Sequence, residues 1–374
     1  MSTPTDAPLL TVPPAASRRV RRHLRRRARV RDAVQKRSSH RDYIIRRVAK
    51  LPIMLLLVSI VVFTISRLGG SPVGIYLRHD MTPEQVAQIY ERYHLDDSII
   101  QQYLSWLGGV LQGDLGWSGV ASQPVVDALR VKLPVTLELG ILAIIVTMIC
   151  GVALGTFGGA RRNGLGDHTT RVISTTGASL PEFWIALLAL YLFYLVLDVA
   201  PIGRVDREIF ASIEHPTGFY TIDSLLAGSW TAFRDALSHL WLPVAVLAYS
   251  GTAEIARIMR SSLVDEMGSD YVDAARAKGL PERLVVRRHA RKNALIPTIT
   301  MIGLAIGGII QGTVVIELIF QQPGMGRWIT DAVLRGDQAT IMAFVLVIGA
   351  GYLLINLFVD LAYAHFDRRI ELGA

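Results

Sequence analysis

Apolar residues in this chain come in blocks separated by charged stretches, and the blocks are long. The first reads LPIMLLLVSIVVFTIS over 51–66, lengthened backwards by Ile44, Ile45 and Val48. Further blocks occupy about 133–158, 175–198, 237–258, 296–317 and 339–363. A bilayer-spanning helix needs roughly 17–25 mostly apolar residues, because the hydrocarbon core is about 30 Å thick. The pattern predicts an all-α membrane protein with six transmembrane helices. The first block begins far from Met1 and no small-x-small cleavage pattern follows it, so it is expected to be an anchor rather than a removable leader.

Residues 69–132 are too polar to span, yet they carry a helical period. In MTPEQVAQIYERY, Thr82 is placed to cap, Pro83 to take the first helical position and Gln85 to close a capping box. Val86, Ile89, Tyr90 and Tyr93 then recur at helical spacing. A second helix is expected after Asp96 and Asp97, presenting Ile100, Tyr103, Leu104 and Leu107 and stopping at Gly108–Gly109. GDLG at 113–116 reads as a turn. This helical insertion either covers the outer ends of the spans or offers a docking surface.

Flanking charge orients the spans. Arg46, Arg47 and Lys50 precede the first, and the second connection carries Arg161, Arg162 and Arg171. The fourth carries Arg276, Lys278, Arg283, Arg287, Arg288, Arg291 and Lys292, and the tail carries Arg368 and Arg369. Odd-numbered connections are mixed or acidic. Because cytoplasmic loops hold the Lys/Arg excess, both termini are expected in the cytoplasm and 69–132 outside, in a multi-pass inner-membrane protein. Composition agrees: 19% of residues are charged, against about 25% in soluble domains.

Much of the positive charge lies in residues 1–43, which contain SRRVRRHLRRRARVRDAVQKR. A disordered cytoplasmic tail drawn to anionic lipid head groups is expected. No aromatic residue interleaves those arginines to stack on bases, which argues against a nucleic-acid partner. Cys150 is the single cysteine, so neither a disulfide nor a Cys/His metal site can be built.

Polar residues inside the blocks each call for a role. Glu138 and Glu317 are expected to be wetted at the outer ends of their helices. Glu254 and Arg257 can pair on one helical face, and Asp360 can meet cytoplasmic arginines. Glu182, after Pro181, is the candidate for lining a polar pathway, with a paired structural carboxylate as the equal alternative. Gly303, Gly307, Gly308 and Gly312 in the fifth block permit close helix approach. Subunit packing is the first reading and a hinge the second; Gly151 and Gly155 read the same way. There is no G-x-x-x-x-G-K-[ST], HExxH or G-x-S-x-G, so the chain is not expected to be an enzyme, and its energy source is expected to be a partner.

One charged segment stands apart. SDYVDAARAKG, 269–279, reads as a short amphipathic helix with Ser269 as its cap and Asp270 and Asp273 in its first turns. Arg276 and Lys278 lie at its end and Gly279 is its terminator. Pro281 then restarts a helix through ERLVVRRHARKNAL. Ala274, Ala275 and Ala277 are expected to keep one surface slim enough for another protein to approach.

DAARAKG resembles the EAA-x-x-x-G loop of membrane subunits of ATP-binding-cassette (ABC) importers. ERLVVRRHARKNALIPTIT, QYLSWLGGVLQGDLG, KLPVTLELGILA, TGFYTIDSLLAGSW, IIQGTVVIELIFQQPGMGRWITDAVLRGD and NLFVDLAYAHFDRRIEL are similar to one branch, the dipeptide/oligopeptide/nickel permeases. The resemblance covers about 44–372. It implies a type I importer permease fold: a first transmembrane helix at 44–68, an extracytoplasmic insertion at 69–132, and a core at 133–372 with a cytoplasmic coupling loop at 259–295. It assigns Asp273, Ala274, Ala275 and Gly279 to a coupling helix that inserts into an ATPase subunit, with Arg276, Lys278 and Leu280 at neighbouring positions. Asp273 departs from the usual Glu, and ALIP at 294–297 follows the peptide branch rather than the general motif.

The implied function is inward translocation by alternating access. Di- or oligopeptides are the expected cargo because they predominate in a branch that also takes nickel, some sugars and glutathione-like compounds. The implied partners are a second homologous permease, two ATP-binding-cassette ATPase subunits or domains, an extracytoplasmic substrate-binding (lipo)protein and the bilayer. ATP and Mg would sit on the ATPases and no cofactor on this chain. An ion-coupled secondary transporter is the alternative of a different class, and would call for inverted repeats and coupling carboxylates. An intramembrane enzyme comes third.

Overall fold

The computed structural model describes residues 48–68, 82–84 and 97–366, with the side chains of 310 and 358–366 outside that description. The tail expected over 1–43, the helical residues expected from Gln85 to Tyr93, and Arg368 and Arg369 lie outside the described residues, as does the side chain of Asp360. Pro83 and Glu84 are helical, directly after Thr82.

Helix α1 is Val48–Leu68. Helix α2, Ile99–Leu111, opens on a capping box: Gln101 N donates to Ser98 Oγ at 3.4 Å and Ser98 N to Gln101 Oε1 at 3.1 Å. It runs through Gly108–Gly109, where the sequence reading places its end, and stops at Leu111. Left-handed backbone, not glycine as such, ends a helix, and that conformation falls at Gly113, φ 87°. A short hairpin with a four-residue loop then pairs β1, Trp117–Ser118, antiparallel with β2, Gln123–Pro124.

Helix α3 is Val125–Ala160 and α4 is Leu165–Ser179. Helix α5, Glu182–Ala189, continues as a π-helical stretch, Leu190–Val196. Two short helices follow, α6 at Arg207–Ala211 and α7 at Tyr220–Leu226, before α8 at Trp230–Met267. Helix α9 is Asp270–Ala277; α10, Glu282–Leu284, passes through a π-helical stretch, Val285–Ala290, into α11, Arg291–Ile319. Helix α12 is Met325–Arg335 and α13 is Gln338–Phe366.

Helices α3 and α8 run parallel and form the spine. Gly151, Gly155 and Gly159 of α3 meet Ile255, Met259 and Leu263 of α8, a four-residue step on both helices. A Cβ at Gly155 would stand 2.5 Å from Met259 Cβ and 2.7 Å from Ala256 O, so only glycine lets the axes come this close. Gly151 and Gly155 therefore serve packing within the chain, not the subunit packing first expected of them. Helix α11 runs antiparallel to both, with Thr313 beside Gly140 near one end and Thr298 Oγ1 3.4 Å from Met259 Sδ near the other.

The bundle thus has two ends. One carries α2, the hairpin, α6, α7 and α12; the other carries α9 and α10. Between them Leu139, Ala143, Ala186, Leu240, Leu247 and Ile316 form the central core.

Among the described residues four helical stretches are long and apolar enough to cross a membrane: α1, α3, Glu282–Ile309 and Gln338–Leu357. The bent pair α4–α5 raises the number to five. The block at 175–198 is therefore not one straight span. Its two helices are bent by 107°, because Pro181 forces Leu180 into extended backbone (φ −94°, ψ 132°). Helix α8 is long enough, but His239, Pro243, Ser250, Thr252 and Glu254 dilute its middle. His239, Pro243 and Thr252 are buried against neighbouring helices, while Ser250 and Glu254 are half-buried.

Candidate functional site

The segment around α9 forms an elbow. Ser269 stands at the N-cap in extended backbone, but its hydroxyl donates to Glu266 O at 2.5 Å instead of capping. At the other end Gly279 N donates to Arg276 O (2.9 Å) and Leu280 N to Ala275 O (3.4 Å). This double closure places Gly279 at φ 80°, with nothing within 4 Å of where a Cβ would be. Conformation, not space, requires glycine there.

Arg276 locks the turn that follows. Its guanidinium donates to Glu282 Oε1 at 2.8 Å and Asp273 Oδ1 at 3.0 Å, and these two carboxylates, Glu282 foremost, hold it above its ordinary range.

Val272 and Ala275, one helical step apart, are buried with Met259 and Leu263 of α8 and Val286, Ala290 and Ala294 of the α10–α11 rod. Leu280 packs on the same cluster. Tyr271 bonds Glu266, and Asn293 Nδ2 donates to the same phenol at 3.0 Å. The elbow is thereby fastened to two long helices.

Asp273, Ala274, Ala277 and Lys278 point outward. The slim face expected of three alanines is thus only partly there. Ala275 turns into its own chain, because residues 272 and 275 share one side of the helix and 274 and 277 another.

A cavity of about 460 Å³ opens between α4, α5, α8 and α11. Its charged lining is Glu182, Glu254 and Arg257. Glu254 and Arg257 sit 3.9 Å apart, both about half exposed. Glu182 has no such partner: Oε1 is shut from solvent and has no hydrogen bond. Its carboxylate lies over Gly312, where a Cβ would stand 2.8 Å from Oε1 and 2.9 Å from Oε2.

The four glycines of α11 have separate surroundings. Gly312 makes room for Glu182, Gly307 faces the Tyr352 ring, Gly308 lines the cavity and Gly303 is half-buried.

The carboxylates expected to be wetted are buried. Glu138, 2% exposed, accepts from Tyr220 N (3.2 Å), Thr221 N (2.7 Å), Thr221 Oγ1 (2.7 Å) and Arg204 (3.2 Å). Glu317, 0% exposed, accepts from Thr136 Oγ1 (2.5 Å) and Gly326 N (2.6 Å). Each receives the free N–H groups at the start of a short helix, α7 and α12 respectively, which replace the water a buried carboxylate loses.

Among the described residues three further buried acids, Asp167, Asp223 and Asp337, escaped the sequence reading. Asp337 accepts from Ser118 Oγ (3.0 Å) and Thr340 Oγ1 (2.8 Å), tying the hairpin to α13. Asp167 of α4 is held by Arg260 of α8, by Arg171 at 2.8 Å and by Asn163 N at 2.9 Å. The i,i+4 spacing of Asp167 and Arg171 was a visible signal; Arg260 was not.

The family described as binding-protein-dependent transport system inner membrane component matches residues 151–372, and its N-terminal companion family matches 41–140. The chain belongs to this family.

Both the elbow and the cavity fall inside the 151–372 match. Among relatives of this permease, the dipeptide transport system permease protein DppB of Escherichia coli (strain K12) is 37% identical over 305 residues, 81% of this chain and 90% of that protein. The di/tripeptide transport system permease protein DppB of Pseudomonas aeruginosa (strain UCBPP-PA14) is 36% identical over 333 residues, 88% and 98% of the two chains. The dipeptide transport system permease protein DppB of Alkalihalophilus pseudofirmus is 34% identical over 330 residues, 88% and 99%.

Proposed function

We propose that the chain is the membrane-spanning translocation subunit of an ATP-binding-cassette importer that moves di- or oligopeptides inward. The cargo follows the relatives, which are named for dipeptide or di/tripeptide transport. The observation that carries the mechanism is the elbow: a short helix with an outward face, fastened by one buried cluster to α8 and to the α10–α11 rod. A push on such a helix cannot be absorbed locally and must move both long helices.

In this reading Asp273, Ala274, Arg276, Lys278 and Gly279 form the part engaged by an ATPase subunit, while Ala275 and Leu280 join that part to the spans. Closure of two ATPases around ATP and Mg shifts the elbows, and the α3–α8 spine changes which end of the bundle is open. Six spans complete the assignment: α1, α3, α4–α5, α8, α10–α11 and α13, with α2 and the hairpin outside and α9 in the cytoplasm. A second permease, two ATPases and an extracytoplasmic binding protein complete the assembly. The ion-coupled alternative finds no support in the family or in the relatives.

Reconstitution tests the proposal. Proteoliposomes holding the full complex should accumulate labelled peptide only with ATP and loaded binding protein. Accumulation driven by a proton or sodium gradient, with this chain alone, would overturn it.

A further inference from the structure

We infer that Glu182 receives the ammonium group of the passing peptide. The inference rests on the peptide-importer reading above and adds which chemical group the pathway recognises.

The cavity has the size of a small-molecule site, about 460 Å³, within the roughly 300–1,000 Å³ such sites span. Leu247, Leu304 and Ile309 give it apolar walls, while Gly308 supplies width. Its charged groups are Glu182, Glu254 and Arg257, and the one guanidinium is turned to Glu254. Glu182 is left with a carboxylate oxygen shut from water and no donor. Oε1 is sealed against Gly312, but Glu182 is half-buried at the cavity wall and its second oxygen is not shut off. A partly desolvated carboxylate without a partner is costly, and a ligand that brings both positive charge and N–H donors to the open oxygen offsets that cost. The α-ammonium of a peptide does both.

The neighbourhood favours this. Gly312 holds open the space for the carboxylate, since a Cβ would press on both oxygens. Glu182 also starts α5 directly after the bend at Leu180–Pro181, so its position depends on how α4 and α5 are angled. From Leu247, which touches the same spot above Gly312, to Arg257 is ten residues of α8, roughly 15 Å at 1.5 Å per residue. An extended peptide advances about 3.3–3.6 Å per residue, so a short peptide anchored at Glu182 would lie along the cavity.

The test uses the full complex in proteoliposomes. It measures peptide moved per ATP hydrolysed for an unblocked tripeptide and for its desamino analogue, each at a concentration that saturates the binding protein in a separate titration. Charge-assisted hydrogen bonds are worth about 1.5–3 kcal/mol, so the wild type should favour the unblocked peptide by about tenfold or more. Glu182→Gln should erase the preference and Glu182→Asp should keep part of it. Equal movement of both peptides by the wild type, or a preference that survives in Glu182→Gln, overturns the inference while leaving the importer reading standing. If the wild type moves neither peptide with ATP, the importer reading itself has failed. Should Glu182→Gln not assemble with its partners, the wild-type comparison together with Glu182→Asp decides.

Discussion

Gly279 is a residue whose importance lies in its backbone. Its φ of 80° closes α9, and no neighbour stands where a side chain would go. A β-branched residue there pays roughly 1–2 kcal/mol for left-handed backbone, or else the elbow reopens. Gly279→Val should leave membrane insertion intact and lower peptide uptake per ATP, with Gly279→Asn milder because Asn tolerates this conformation; uptake and phosphate release measured on the same vesicles check it. Gly155 is the opposite kind, limited by space. Gly155→Ala should destabilise by about 1–3 kcal/mol through overpacking, since its Cβ would meet Met259 Cβ at 2.5 Å. Gly351→Ala, inside α13 with nothing within 4 Å, should not destabilise and should gain up to about 1 kcal/mol from helix propensity in the same thermal-unfolding assay. Sequence spacing marked Gly155 as a close-approach site, but the partner helix was visible only in the fold.

At the scale of elements, the joints matter more than the helices. Asp167 joins α4 to α8 through Arg260 and is itself 0% exposed. Removing one member of a buried ion pair costs about 3–5 kcal/mol, and the low end applies because Arg171 is half exposed. Asp167→Ala should therefore lower the melting temperature of the detergent-solubilised chain, and adding Arg260→Leu to it should recover part of the loss. The Gly279 stop was legible because it follows from residues a few positions apart; the Ser98–Gln101 capping box is as local, yet the sequence reading placed that helix start only after Asp96 and Asp97. The starts of α7 and α12 were not legible. Their caps come from Glu138, 82 residues before Tyr220, and from Glu317 across a tight loop, and no periodicity encodes such a pairing.

For the whole molecule, the parallel α3–α8 spine and the antiparallel α11 put the elbow at one end and α2, the hairpin and α12 at the other. In a background lacking Cys150, Lys278→Cys should react with a membrane-impermeant maleimide only from the cytoplasmic side. Asp114→Cys should react only from the outer side. Labelling of both from the same side would break the six-span assignment.

The hydrophobic blocks, their charge asymmetry and the charged helix–glycine–helix segment were determined by the sequence alone, because each is a local pattern set by bilayer thickness, helical period or backbone conformation. The tertiary structure decided which faces those elements share: that Ala275 turns inward while Ala274 turns out, that Glu138 and Glu317 are sealed by helix starts, and that Glu182 is left unpaired over Gly312. Those outcomes depend on groups distant in the chain meeting at a few ångströms, and such meetings exist only once the helices have packed.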